Sequence, residues 1–112
     1  MSITKSATRG TSVILQDAET TGNGLVLAIP SSFKHHTLYI KGSAGVASGA
    51  VQPESADSKD YAGTWGQIGG GPITVVADTE LAINFEGLYK FIRVGISTVV
   101  VGGTVSVSYI GS

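Results

Sequence analysis

His35 and His36 form the only histidine pair of the chain and are its most obvious candidates for metal binding. Adjacent residues of a strand point to opposite faces, so the two rings are not expected to bind one ion unless the loop from Pro30 to Lys34 bends unusually. No third ligand is obvious nearby in the sequence. We therefore predict no metal site at this pair.

Three carboxylates, Glu54, Asp57 and Asp60, surround one polar segment and offer the oxygen ligands that calcium prefers. Their spacing does not match the calcium loop of an EF-hand, and Lys59 adds a positive charge in their midst. A solvated acidic loop is the favoured interpretation.

Nucleophilic chemistry has no recognisable motif in this chain. Serine, histidine and aspartate are all present, but the Gly-x-Ser-x-Gly pattern of a nucleophile elbow is absent from the sequence. Gly69-Gly70-Gly71 lacks the Lys-Ser or Lys-Thr pair of a phosphate-binding loop. The chain has no cysteine, which excludes disulfides, thiolate zinc sites and thiol nucleophiles. We predict a protein that is not an enzyme and needs no cofactor.

Aromatic side chains suggest a different kind of site. Trp65 with Tyr61 and Tyr39 could form a flat platform on which a sugar ring stacks, although packing in the core or at its rim is favoured. Arg93, flanked by Phe91 and Tyr89, could form a contact across a subunit interface, with a solvent-facing strand position as the simpler alternative.

The element that must position these residues is the segment from Leu88 to Ile96, which we predict to be a central β-strand. Its side chains alternate with period two, placing Ile92, Val94 and Ile96 on one face and Arg93 with its aromatic neighbours on the other. Gly87 and Ser97-Thr98 are the predicted ends of this strand.

The remaining apolar segments are also short and separated by glycine-rich turns, and none has a helical period. We predict an all-β fold, an antiparallel β-sandwich of the jelly-roll type with about eight or nine short strands. A closed barrel is the rival architecture. Pro53 predicts an edge strand, and Gly102-Gly103 predicts a hairpin that joins the last two strands.

The 112 residues suffice for one core, and we assign residues 12–112 to a single domain. Residues 1–11 are mostly polar and include Lys5 and Arg9, with Ile3 as the main apolar side chain. They are predicted to form an extended N-terminal arm. Such an arm either frays or becomes ordered against a neighbouring subunit.

The amino-acid composition bears on which partners the protein could bind. Only 13% of residues are charged and the net charge is -1, which favours oligomerisation or docking on a larger surface. The alternative is a small β domain whose surface is polar through Ser, Thr and Gly. The seven Lys and Arg are scattered and offset by eight acids, so we expect no nucleic-acid partner. The sequence contains no apolar run of membrane-spanning length and no secretory signal at its N-terminus, so we expect no membrane partner and synthesis in a cytoplasm.

The C-terminal three-fifths resembles the small β-sandwich structural proteins of tailed bacteriophages. The resemblance rests on four segments: Gly49–Ser55, Trp65, Leu88-Tyr-Lys-Phe-Ile-Arg-Val94 and Gly103-Thr-Val-Ser-Val107. Within that group it implies a capsid decoration (cement) protein on the capsid surface of a virion, made in the host cytoplasm. Such proteins bind between major capsid protein subunits as homo-oligomers, commonly trimers.

Five residues are the candidate partner contacts on this hypothesis: Ile3, Lys5, Arg9, Trp65 and Arg93. The alternative hypothesis is a binding module of a tail fibre or baseplate, or a carbohydrate-binding sandwich that uses Trp65 and the tyrosines.

Overall fold

The computed structural model describes residues 4–112, which form ten β-strands and no helix. The strands are β1 (Thr4–Ser6), β2 (Val13–Glu19), β3 (Val26–Ala28), β4 (His35–Gly42), β5 (Ser48–Ala56), β6 (Gly66–Gln67), β7 (Ile73–Thr74), β8 (Thr79–Glu86), β9 (Phe91–Val101) and β10 (Val105–Gly111).

These strands form two sheets that pack face to face. The six-stranded sheet has the order β1-β3-β9-β5-β6, with β7 also paired to β5, and the four-stranded sheet has the order β2-β10-β4-β8. One long antiparallel hairpin ribbon accounts for four of the pairs: β2 with β10, β3 with β9, β4 with β8 and β5 with β7. When the ribbon rolls up, β10 also pairs with β4 and β9 with β5, as in a jelly roll. All pairs are antiparallel except β1 with β3. The predicted all-β antiparallel sandwich of the jelly-roll type is therefore confirmed.

The core lies between the sheets and takes alternate residues from the central strands. Its most buried members include Ile92 and Val94 of β9, Leu38 and Ile40 of β4, and Val105, Val107 and Tyr109 of β10. Burial of each aliphatic side chain contributes about 2 kcal/mol relative to an exposed position. The predicted alternation of β9 is confirmed, since Phe91 and Arg93 lie between core positions and are only partly buried.

The bounds predicted for β9 were wrong at both ends. The strand begins at Phe91, so Leu88 to Lys90 form a loop, and it continues through Ser97 and Thr98 to Val101. Register shifts between β5 and β9 near Ala50 allow the pairing to continue past the two hydroxyl residues, because a bulge absorbs the mismatch.

The hairpin predicted at Gly102-Gly103 is also wrong, because β9 and β10 belong to different sheets. Gly102 has a φ of 87° and packs against the backbone of Gly45, where a Cβ atom would collide. Two glycine-containing turns thus cross at this corner of the sandwich, and the chain passes from one sheet to the other.

Pro53 lies in a strand that is paired on both sides, so the predicted edge strand was wrong. β5 pairs with β9 on one side and with β6 and β7 on the other. The Pro53 carbonyl accepts a hydrogen bond from the Ile68 N–H at 2.9 Å, on the side of β5 away from β9. The nitrogen and carbonyl of one strand residue point to the same side, so the Pro53 nitrogen, which has no hydrogen to donate, faces away from β9 as well. This missing donor lies where the outer partner of β5 changes from β7 to β6.

The described part of the predicted arm lies against its own domain. Thr4–Ser6 form β1, the Ala7 N–H donates to the Ala28 carbonyl at 2.8 Å, and the Gly10 N–H donates to the Gly111 carbonyl at 3.0 Å. Ala7 is buried in the core cluster. Thr4–Ser6 are an edge of the six-stranded sheet, and the chain turns at Arg9 and Gly10; Ile3 lies outside the described residues.

Candidate functional site

Trp65, Arg93 and Glu54 form a stack on the outer face of the six-stranded sheet. Glu54 and Arg93 are direct partners in the β5–β9 register, and the Arg93 Nε donates to Glu54 Oε1 at 2.9 Å. The Arg93 Cζ lies 4.1 Å from the centroid of the Trp65 ring, which is 2% exposed. The Trp65 Nε1 donates to the Tyr61 carbonyl at 2.9 Å and holds the loop before it in place.

This stack uses the aromatic and charged groups that the sequence suggested for binding. The indole covers the ion pair and strengthens it, since a desolvated cation–π contact contributes about 2 kcal/mol. With so little of Trp65 exposed, no open ring face is left for a sugar, and the Arg93 side chain is 17% exposed.

The two tyrosines of the proposed sugar platform lie apart. Tyr39 is on the outer face of the four-stranded sheet, because its neighbours Leu38 and Ile40 point into the core. Tyr61 lies in the loop before Trp65, against the other sheet, and is exposed. The three aromatic residues therefore do not form one surface.

The two basic residues of the N-terminal segment are exposed. Lys5 lies on the edge strand β1, and the Arg9 guanidinium carbon lies 5.6 Å from the centroid of the Phe33 ring. Both remain accessible to a partner, whereas the structure does not describe Ile3.

The three carboxylates of the acidic segment separate into different environments. Glu54 is held by Arg93, and Asp57 Oδ1 is 2.7 Å from the Lys90 Nζ, while Asp60 is exposed. Within residues 4–112 no three His, Cys, Asp or Glu side chains are close enough to hold a metal ion.

The histidines point to opposite faces, as predicted. His35 is exposed, with its Nδ1 at 3.6 Å from Glu86 Oε1. His36 is buried, with Nδ1 at 2.6 Å from the Tyr109 hydroxyl and Nε2 at 2.9 Å from the Gly87 carbonyl. A carbonyl oxygen only accepts, so Nε2 carries a proton, and in the neutral ring the Tyr109 hydroxyl donates to Nδ1.

Burial raises the pKa of Tyr109 to about 12. The hydroxyl is therefore protonated near neutral pH, and its contact with His36 links β10 to β4. The Gly87 carbonyl adds the loop between β8 and β9 to this network. The network stabilises one end of the sandwich from inside.

A surface feature that sequence reasoning missed is an apolar groove of about 700 Å³, which we call the docking groove. Its apolar lining consists of Ile29, Ala56, Ile68, Leu88 and Tyr89. The walls are held by main-chain hydrogen bonds from the Ile29 N–H to the Lys90 carbonyl and from the Ile68 N–H to the Pro53 carbonyl, both at 2.9 Å. The shape of the groove is thus set by the fold itself.

The charges beside the docking groove balance each other. Asp57 and Lys90 form their ion pair at its lining, and both side chains are largely exposed. Leu88 is 69% exposed, the highest value among the large hydrophobic side chains found exposed. The groove therefore suits an uncharged apolar group better than an ionic ligand.

Four separate chain segments line this groove, which is why the sequence did not reveal it. One signal was present: Leu88 and Tyr89 are consecutive large apolar residues after a glycine, and a half-buried strand cannot bury both. That pattern indicates a loop with an exposed apolar side chain.

Comparison with known proteins finds no family model, no curated protein and no solved structure with a significant match to this chain. The described residues contain no helix of the length and apolar character needed to cross a membrane.

Proposed function

We propose that this protein is a non-enzymatic virion structural protein that decorates and stabilises a phage capsid by binding between major capsid protein subunits. The observation that supports the proposal is a division of side chains: Glu54, Arg93 and His36 are bonded to other groups of the fold, and the most exposed large hydrophobic residue, Leu88, lines an apolar groove. Such a surface is suited to docking on another protein.

The docking groove would accept an apolar side chain of a capsid subunit. Burial of apolar surface contributes about 25 cal/mol for each Å², so one such contact is weak. A capsid presents the same contact at many symmetry-related positions, and an oligomeric decoration protein would engage several of them at once. Many weak contacts would then hold the shell against internal pressure.

The second candidate is a binding module of a tail fibre or baseplate, or a carbohydrate-binding domain. The observation that favours it is the exposed ring of Tyr61, which lies on a loop held by the Trp65 Nε1. On this alternative Tyr61, rather than Trp65, would stack on the sugar.

The first test is the copy number of the protein in purified particles, measured by quantitative mass spectrometry against the major capsid protein. A copy number comparable with that of the capsid protein supports decoration. A handful of copies per particle supports a tail or fibre location, and absence from the particle contradicts the proposal.

The second test asks whether the docking groove binds the capsid. Leu88→Asp should lower the affinity for particles that lack the protein by about tenfold or more, because a charge replaces an apolar anchor. Val99→Asp is the matched control, since Val99 is 53% exposed and does not line the groove. Equal binding by the two variants, with both still folded, would contradict the role of the groove.

A further inference from the structure

The edges of the two sheets are not equally protected against pairing with another strand. In the six-stranded sheet the outermost strands are short: β1 has three residues, and β6 and β7 have two each. In the four-stranded sheet β2 is bulged against β10, and the Leu15 carbonyl already accepts the Leu25 N–H at 3.0 Å. These are the devices that normally prevent edge-to-edge association.

β8 has none of these devices. It is eight residues long, pairs without a register shift, and has β4 as its one partner among the described strands. Its sequence, Thr-Glu-Leu-Ala-Ile-Asn-Phe-Glu, contains no proline, glycine or lysine. Among residues 4–112 it is the long, regular edge that remains open.

The hydrogen-bond pattern shows which backbone groups of β8 point outward. His35 and Ser112 exchange both of their N–H to carbonyl bonds, so the odd-numbered residues of β4 face β10 and the even-numbered residues face β8. Odd-numbered β8 residues are their partners. The N–H and carbonyl groups of four β8 residues therefore point to the open edge: Glu80, Ala82, Asn84 and Glu86.

The core is also open along this edge. Leu81, Ile83 and Phe85 point inward but are only partly buried, whereas Leu38 and Ile40 of the neighbouring strand are at most 1% exposed. A further strand beside β8 would cover these apolar side chains and supply partners for the free backbone groups.

We propose that β8 is the site at which two copies of this chain associate. The two β8 strands pair antiparallel about a two-fold axis near Ala82, and the two four-stranded sheets become one continuous sheet. This inference goes beyond the proposed function and does not depend on it.

Register favours a second copy as the occupant, because the apolar residues of β8 alternate along one face and two antiparallel copies place them opposite each other. With the axis at Ala82, Glu80 lies opposite Asn84 of the second copy, and Leu81 lies opposite its Ile83. Glu86 then comes opposite Asp78, which belongs to the turn before β8 and lies outside the strand. With the axis at Ile83, Glu80 would lie opposite Glu86, and this like-charge pairing is unfavourable.

Each acid of β8 has a basic residue beside it in its own chain, because Glu86 Oε1 lies 3.6 Å from His35 Nδ1 and Glu80 is opposite Lys41 in the register. The edge therefore does not require a basic strand.

The protection of the other edges determines the symmetry. A trimer built through β8 would need a second, different open edge on each copy, because its contacts join two different surfaces. Among the described strands the other edge of comparable length is β2, which has seven residues, but bulges interrupt its pairing and its Leu15 carbonyl is already bonded to the Leu25 N–H. Pairing of β8 with itself needs one edge only and closes as a dimer.

The decisive variant is Ala82→Pro. The Ala82 N–H points outward, so proline removes no hydrogen bond within the chain but blocks pairing at the axis. The dimer association constant, measured by analytical ultracentrifugation between about 10 µM and about 1 mM protein, should fall by about tenfold or more. Ala82→Val keeps the N–H group and is the matched control, with association within about threefold of the original protein.

Amide hydrogen exchange tests the same contact without a substitution. The outward amides of Ala82 and Asn84 should exchange slowly at high concentration and rapidly at low concentration, while the amides of Leu81 and Ile83 should not change. This measurement uses the unsubstituted protein, so it tests the β8 contact even if the Ala82→Pro variant does not fold. A monomer at all concentrations, or a dimer that Ala82→Pro does not weaken, would overturn the proposal. Concentration-independent exchange at Ala82 and Asn84 would overturn it too.

Discussion

Two ion pairs join the β5 region to the β9 region, with similar N–O distances but very different exposure to solvent. The Glu54–Arg93 pair has an N–O distance of 2.9 Å, with its side chains 18% and 17% exposed. The Asp57–Lys90 pair has a distance of 2.7 Å, with side chains 87% and 69% exposed. Trp65 covers the first pair and solvent surrounds the second. The comparison shows that the Trp65 indole shields one cross-strand ion pair from water, whereas the Asp57–Lys90 pair stays exposed at the lining of the apolar groove.

The largest effect is expected from Trp65→Ala. Loss of the indole leaves a cavity, and the Arg93–Glu54 pair becomes exposed to water, so the free energy of unfolding should fall by about 3 to 5 kcal/mol. Trp65→Phe keeps a ring over the guanidinium and should cost about half as much. Chemical denaturation measures both variants, and a loss below about 1 kcal/mol for Trp65→Ala would show that the stack is not structural.

The two ion pairs can be compared directly by neutralising one carboxylate in each. Glu54→Gln leaves a covered guanidinium without its counter-charge and should cost about 2 kcal/mol of stability. Asp57→Asn removes an exposed contact and should cost less than about 0.5 kcal/mol. The same denaturation measurement gives both values. Equal losses would mean that the difference in exposure does not control the energetics of these pairs.

A smaller effect is expected from Tyr109→Phe, which tests the other buried polar contact. His36 Nδ1 loses its partner, so the variant should be less stable by about 1 to 2 kcal/mol near neutral pH. The folded chain holds the Tyr109 proton more tightly, since its pKa rises from 10.0 to about 12. The stability of the original protein should therefore be complete below pH 10 and fall as the pH rises from 10.0 towards about 12.

Tyr109→Phe should lack this component of the alkaline loss, which denaturation at a series of pH values measures. The matched control is Tyr39→Phe, at an exposed position, which should leave the alkaline loss unchanged. An identical pH profile for Tyr109→Phe and the original protein would contradict the assignment.

The sequence predicted the strands well where a clear alternation was bounded by turn residues. The segment around Ile92 and Val94 was placed with these residues on the correct face, since period two is a local property. The bounds failed where a bulge or a loop intervened, as at Ser97 and at Leu88. Neither feature has a local hydrophobic signature.

Candidate site residues could be chosen from the sequence by residue type, but the sequence could not predict the environment of each side chain. Trp65 and Arg93 were chosen as potential contacts, but whether an indole faces solvent or covers a guanidinium depends on which strand places an arginine beneath it. The docking groove was missed because Ile29, Ile68 and Leu88 come from segments far apart in the chain.

By itself the sequence determined the all-β character, the faces of the central strands and the absence of thiol chemistry, because these follow from side-chain type and short-range periodicity. The tertiary structure alone decided that β9 and β10 belong to different sheets, that Trp65 is covered, and that β8 has one neighbour among the strands of residues 4–112. Each of these depends on pairings between residues distant in sequence. Backbone hydrogen bonds in a sheet are chemically alike at every position, so the rolled topology, rather than local composition, selects the partners.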